Sequence, residues 1–144
     1  GCTIFTSIPA ALPMIAGTIS FWAKDSRVLI IPLLSIVAFL AHPVGRQVPF
    51  FALLWLVPMI AYPLRQNIVA RSLGSTYVSH SIGGAIWIWA FPTTPAFWIT
   101  LMPLVLVERS IITLGMSAFY ILFSNVKDFI ESKAPVRVKK VSIA

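Results

Sequence analysis

Thr76, Ser79, His80, Gly84 and Trp87 form the densest group of residues in this 144-residue chain that could do chemistry. They stand in an otherwise apolar run. At helical spacing Thr76, His80, Gly83, Gly84 and Trp87 share one face. A histidine in such a run is costly to bury and usually faces a bundle interior or a wet cavity. The glycines leave room beside it, and Trp87 offers a flat wall with one N–H donor. This is a lining for a small-molecule site. The same stretch also suits plain helix packing, because Ser79-x-x-x-Gly83 and Ser81-x-x-x-Ala85 are small-xxx-small patterns that bring backbones close. The two readings coexist at this stage.

Glu108-Arg109 is the second candidate. Adjacent helical residues point about 100° apart and are not helix-surface neighbours. Each is therefore expected to find a partner elsewhere, with Arg65, Arg71 and His80 open to Glu108. The pair either couples an intramembrane charge to transport or snorkels to a headgroup region. Arg65-Gln66-Asn67, with Arg71 following, could bind a carboxylate or phosphate or simply form a basic loop. His42-Pro43-x-Gly45-Arg46 reads as a polar turn with Pro and Gly punctuation, with a role in substrate access as the alternative.

Other chemistries lack their residues. No Gly-rich phosphate loop, His-Glu-x-x-His or Gly-x-Ser-x-Gly is present. The acidic residues are Asp25, Glu108, Asp128 and Glu131, and only Glu108 interrupts an apolar run. Cys2 is the single cysteine, which excludes an internal disulfide. No metal, no cofactor and no catalytic set is expected. An enzyme using His80 as general base would need a second group that the sequence does not supply. The net charge of +7 accompanies no nucleic-acid motif, so no nucleic-acid partner is expected.

The elements that must position these residues follow from composition. Hydrophobic residues make up 58% of the chain and charged ones 10%, against about 25% charged in a soluble domain. Apolar runs cover residues 3–23, 28–41, 48–64, 77–91 and 96–126. Gly74-Ser75-Thr76 precedes the fourth run and Pro92-Thr93-Thr94-Pro95 ends it. Eleven prolines, most of them inside or at the ends of these runs, predict kinked helices. The last run would be a helix of roughly 46 Å, longer than one hydrocarbon core, which calls for tilt or extension beyond the bilayer. Splitting it at Glu108-Arg109 is the alternative. Taken as one crossing, it leaves Lys24, Arg27, Arg65, Arg71, Lys127, Lys133, Arg137, Lys139 and Lys140 on one side and Arg46 on the other. The positive-inside rule then places that basic side in the cytoplasm. A basic tail runs over residues 127–144, with 133–144 as its extramembrane part lying on anionic lipid. The fold expected is an all-α polytopic transmembrane bundle over residues 1–132 with five visible spans, and six if a helix precedes Gly1.

The stretch Leu73-Gly74-Ser75-Thr76-Tyr77-Val78-Ser79-His80-Ser81-Ile82-Gly83-Gly84-Ala85-Ile86-Trp87, followed by Pro92-Thr93-Thr94-Pro95 and Val107-Glu108-Arg109, resembles a family of small prokaryotic integral membrane proteins without a firm assigned activity. In size and span count the whole chain also resembles the substrate-binding (S) components of energy-coupling factor vitamin transporters. That resemblance implies about six helices, no nucleotide site of its own, and a borrowed coupling subunit and ATPases. The Ala-x-x-x-Ala coupling signature of that family is not evident in an early helix here.

The expectation is a subunit of a prokaryotic cytoplasmic membrane that captures or transports a small organic solute between helices. Thr76, Ser79, His80, Gly84, Trp87, Glu108 and Arg109 would be its contacts, and a membrane partner would supply energy. The alternative is a non-catalytic assembly subunit of a larger membrane complex.

Overall fold

The computed structural model describes Ile15, Ile19 and residues 26–133. Those residues are almost all helical, with no strand among them. The run at 3–23, apart from Ile15 and Ile19, and the residues after Lys133 lie outside the described part. A 3-10 turn, Ser26–Leu29, leads into α1 (Ile30–Ala41). Two short helices follow, α2 (Pro43–Gln47) and α3 (Pro49–Ala52). After a 3-10 turn at Leu53–Leu56 comes α4 (Val57–Ala61), then a 3-10 turn at Tyr62–Leu64. The long helices are α5 (Ile68–Ala90) and α6 (Pro95–Lys133).

Proline explains where the chain breaks. Pro43 and Pro49 open α2 and α3, positions where a missing N–H costs nothing. Pro58 and Pro63 fall in the next segments. Each removes a backbone donor and crowds the preceding turn, so Pro49–Leu64 alternates between α and 3-10 winding. The junction residues Leu53, Val57 and Tyr62 all keep right-handed helical dihedrals. The result is one kinked rod rather than separate helices.

The start of α5 differs from expectation. The helix begins at Ile68, well before Tyr77, because the Asn67 side chain caps it, accepting from the backbone N–H of Val69 at 2.8 Å and of Ala70 at 3.4 Å. Gly74, Ser75 and Thr76 are internal. A lone glycine costs a helix only about 1 kcal/mol, and Thr76 returns its hydroxyl to the Leu73 carbonyl at 2.9 Å. In α6 a single helix runs through Glu108-Arg109, as the charge count favours. It continues through Lys127 to Lys133, so the first basic residues of the expected tail are helical.

The core is aromatic at one end. Phe39 packs edge-on to Trp55 at 5.1 Å and to Trp98 at 4.9 Å, and Phe51 meets Trp98 at 4.9 Å. Gly45 lets α2 fold against α1, since a Cβ there would run into the Phe39 carbonyl. A smaller cluster of Ala61, Tyr62 and Val78 lies at the other end. Hydroxyls are inside: Ser35, Ser72, Ser75, Thr76, Ser81, Thr113 and Ser117 are buried. Hydrocarbon is outside: Leu34, Val37, Leu53, Ile60, Leu104, Leu114, Phe119 and Leu122 are among many exposed apolar side chains.

Among the described residues one helix, α6, is long and apolar enough to cross a membrane. Ser26–Ala41 and Pro49–Leu64 are apolar but shorter. Helix α5 has the length, at 23 residues, but its hydroxyls and His80 dilute its apolar character.

Candidate functional site

Helices α5 and α6 are antiparallel neighbours, and one contact sets their register. The hydroxyls of Thr76 and Thr113 approach to 3.5 Å while each donates to a carbonyl of its own helix, Leu73 and Arg109 respectively. One turn further along α5 is His80, and one turn back along α6 is Arg109. The two residues therefore stand at the same level. The Arg109 charge acts electrostatically on both His80 and Tyr77.

The kinked rod supplies the third wall. His80 is ringed by Phe51 at 5.9 Å, Trp55 at 6.3 Å and Tyr77 at 6.4 Å between ring centroids. Gly84 makes room for Trp55: a Cβ on Gly84 would lie 2.6 Å from the indole Cζ2. Trp55 is fully buried.

Three residues of this region each carry a buried nitrogen without a hydrogen-bond partner among the described residues: Trp55 Nε1, His80 Nε2 and Arg109 Nε. Leaving such a group unmade costs about 1–3 kcal/mol, and more when it is charged. Arg71 Nε is also unpartnered, but that residue lies near the start of α5, its guanidinium 5.4 Å from the Tyr120 ring.

The expected site residues separate on this geometry. His80 and Gly84 stand against the Trp55 ring, Thr76 lies one turn away at the Thr113 contact, and Arg109 follows from that register at the level of His80. Ser79 donates to the Ser75 carbonyl at 3.2 Å. Trp87, which shares the His80 face by spacing, is 48% exposed and stacks on Phe91 at 4.4 Å. It stands two turns, about 10 Å, along the axis from His80, so the buried indole beside His80 is Trp55. The signal for Trp55 was a glycine one turn from a histidine, with a tryptophan on a neighbouring segment to fill it.

Glu108 corrects another expectation. Its carboxylate pairs with its own neighbour, Arg109 Nη2 to Oε1 at 3.1 Å, because a long guanidinium can fold back along the helix. The side chains are 51% exposed for Glu108 and 17% for Arg109. Glu108 thus faces outward and Arg109 inward.

The other polar groups have structural tasks. Asn67 caps α5, and Arg65 lies over the Tyr62 ring at 4.3 Å. His42 Nδ1 caps α2 by accepting from the Val44 N–H at 3.2 Å. Arg46 donates to the Leu40 and Ala41 carbonyls at 3.3 and 3.0 Å, closing the C-terminus of α1 where a cation also suits the helix dipole. Trp89 ties α5 to α1 through the Ala38 carbonyl at 3.0 Å. At the α5–α6 turn Thr93 accepts from Trp98 Nε1 at 3.0 Å and Thr94 from the Phe97 N–H at 3.3 Å.

No group of three His, Cys, Asp or Glu side chains comes together among the described residues. The region holds hydrogen-bond donors, one cation and packed aromatic rings. No protein-family model, curated protein or solved structure matches the chain.

Proposed function

We propose that this chain is a multi-pass membrane subunit that captures a small organic solute between its helices and relies on a membrane partner for energy. The observation that carries the reading is the cluster of unpartnered buried nitrogens on Trp55, His80 and Arg109. In a bundle surrounded by lipid, water does not reach such groups from outside, and an intramembrane ionisable residue marks a pathway or a ligand.

The distribution of side chains supports a lipid-facing exterior. Leucine, isoleucine, valine and phenylalanine cover α1, the kinked rod and α6, while serine and threonine line the α5–α6 contact. Small polar residues at helix interfaces are the packing mode of transmembrane bundles. In this reading α1, the kinked rod, α5 and α6 are crossings of the cytoplasmic membrane of a prokaryote. The basic residues at Arg65, Arg71 and Lys127 onward lie in the cytoplasm.

The test is native mass spectrometry of the chain purified in mild detergent. The expected result is a stoichiometric small solute that is lost in His80→Ala while helicity is retained. A preparation without solute, or one that keeps its solute in His80→Ala, overturns the site.

The second reading is an assembly subunit. The uncovered half of α6 favours it, where Gly115, Met116, Phe119, Tyr120 and Phe123 line an open apolar concavity of about 550 Å³. A stably bound protein partner with no solute is the outcome that would select it.

A further inference from the structure

We propose that the concavity on α6 holds one anionic phospholipid of the cytoplasmic leaflet, with an acyl chain against Gly115, Met116 and Phe119 and the phosphate on Arg71. This inference rests on the multi-pass membrane reading and names the lipid that the bundle selects.

The apolar half of the site is a matter of shape. Gly115, Met116, Phe119, Tyr120 and Phe123 line an open concavity of about 550 Å³. Nothing lies within 4 Å of the place where a Gly115 Cβ would stand, so bare backbone deepens it there. The other four side chains are exposed hydrocarbon and rings.

The charged half is one residue. Tyr120 also carries the Arg71 guanidinium, 5.4 Å from its ring centroid and within cation–π range. Arg71 thus adjoins the concavity through a ring that lines it. Its Nε is buried without a hydrogen-bond partner, while the residue as a whole is partly exposed. The acids of the described residues are committed or remote. Glu108 pairs with Arg109 and Glu131 with Lys127, and Asp128 lies about 12 Å beyond Tyr120 along the helix.

Position selects the ligand. Helix α6 opens at Pro95, after the turn from α5. Tyr120 follows about 38 Å further along it, against about 40–45 Å for a bilayer with its headgroups. With Pro95 at one headgroup region, Tyr120 and Arg71 reach the other, on the side that the positive-inside rule makes cytoplasmic. A tyrosine ring suits that interface, and a guanidinium there meets phosphate, which its planar fork fits. A zwitterionic headgroup brings its own cation, whereas an anionic one supplies Arg71 with an uncompensated counter-charge. Gly115, Met116 and Phe119 lie on the hydrocarbon side of Tyr120, where the acyl chain begins.

The experiment reconstitutes the full chain in nanodiscs of equal phosphatidylglycerol and phosphatidylcholine with identical acyl chains. Native mass spectrometry then counts the lipids that the released chain retains. One phosphatidylglycerol per chain is expected, in about fivefold preference over phosphatidylcholine. Arg71→Gln is expected to bring the ratio to about one. Arg65→Gln is the control on the same side. Arg65 lies over Tyr62, a ring that does not line the concavity, and its loss should leave the preference in place. Gly115→Leu fills the concavity and should abolish retention of both lipids with helicity unchanged.

Equal retention of the two lipids by the parent chain overturns the proposal. So does an Arg65→Gln variant that loses as much preference as Arg71→Gln, which would mean diffuse charge without a site. Undiminished retention in Gly115→Leu, or a second protein chain bound in place of lipid, overturns it too. Release of the chain from vesicles by alkaline carbonate removes the membrane reading itself. A carbonate-resistant chain without lipid preference loses this proposal alone.

Discussion

The two halves of α6 are alike in composition and opposite in surroundings. From Pro95 to Ser117 the helix presents a narrow inward stripe, with Trp98, Val105, Thr113 and Ser117 buried and Arg109 nearly so. From Ala118 to Ser132 no residue is buried, and Phe119, Ile121, Leu122, Phe123, Val126, Phe129 and Ile130 are all exposed. Apolarity alone does not distinguish the halves. What does is the placement of one large ring, Trp98, against Phe39 of α1 and Phe51 of α3, and of the Thr113 hydroxyl against Thr76 of α5. A helix packs where its stripe has a partner of matching relief, and is merely apolar elsewhere.

The largest test of this contrast removes a ring from each half. Trp98→Ala empties a fully packed position touching Phe39 and Phe51 and should cost about 3–5 kcal/mol. Phe123→Ala, exposed on the outer half, should stay within about 0.5 kcal/mol. Reversible denaturant unfolding in detergent, followed by circular dichroism, measures both. Comparable losses would mean the outer half is as tightly engaged as the inner one.

Glycines give a contrast of sign. Gly84→Ala pushes a methyl into the Trp55 ring and should destabilise by about 1–3 kcal/mol. Gly115→Ala has open space around its Cβ and should stabilise by up to about 1 kcal/mol through helix propensity. The same unfolding curves decide this, and a stable Gly84→Ala would contradict the close approach of Trp55.

Smaller effects follow along the helix. Thr113→Val deletes the buried hydroxyl that meets Thr76 and should cost about 1 kcal/mol. Lys127→Gln breaks an exposed i,i+4 pair with Glu131 at 3.6 Å and should change stability by less than about 0.5 kcal/mol. A loss from Lys127→Gln larger than that from Thr113→Val would reverse the order of the two halves.

How much of this was legible depended on which forces are local. Proline's missing N–H acts within one turn, so the kinks at Pro49, Pro58 and Pro63 could be read directly. The reading of α6 as one helix followed from the charges on either side of it, whereas His42-Pro43-x-Gly45-Arg46, read as a polar turn, is a short helix capped by His42 and opened by Pro43. The start of α5 was hidden because the glycine and hydroxyls at 74–76 read as loop, although they are helix interior; Arg65-Gln66 is a turn, as read, and Asn67 is the cap that starts the helix at Ile68. The Glu108–Arg109 pair was missed because a rule about backbone direction ignored the length of a guanidinium. Thr76, His80, Gly84 and Arg109 were legible as candidates from their chemistry. That Trp55 and not Trp87 stands beside His80 was not legible, since helical spacing fixes a face and says nothing of where along it a neighbour arrives.

The winding of Pro49–Leu64 has a consequence for reach. A 3-10 turn rises about 2.0 Å per residue against about 1.5 Å in an α-helix. The segment holds two such stretches, Leu53–Leu56 and Tyr62–Leu64. Along its contour the sixteen residues therefore measure about 28 Å instead of about 24 Å, against the roughly 30 Å of hydrocarbon in a typical bilayer. The prolines that interrupt the α-winding of this segment also lengthen its contour.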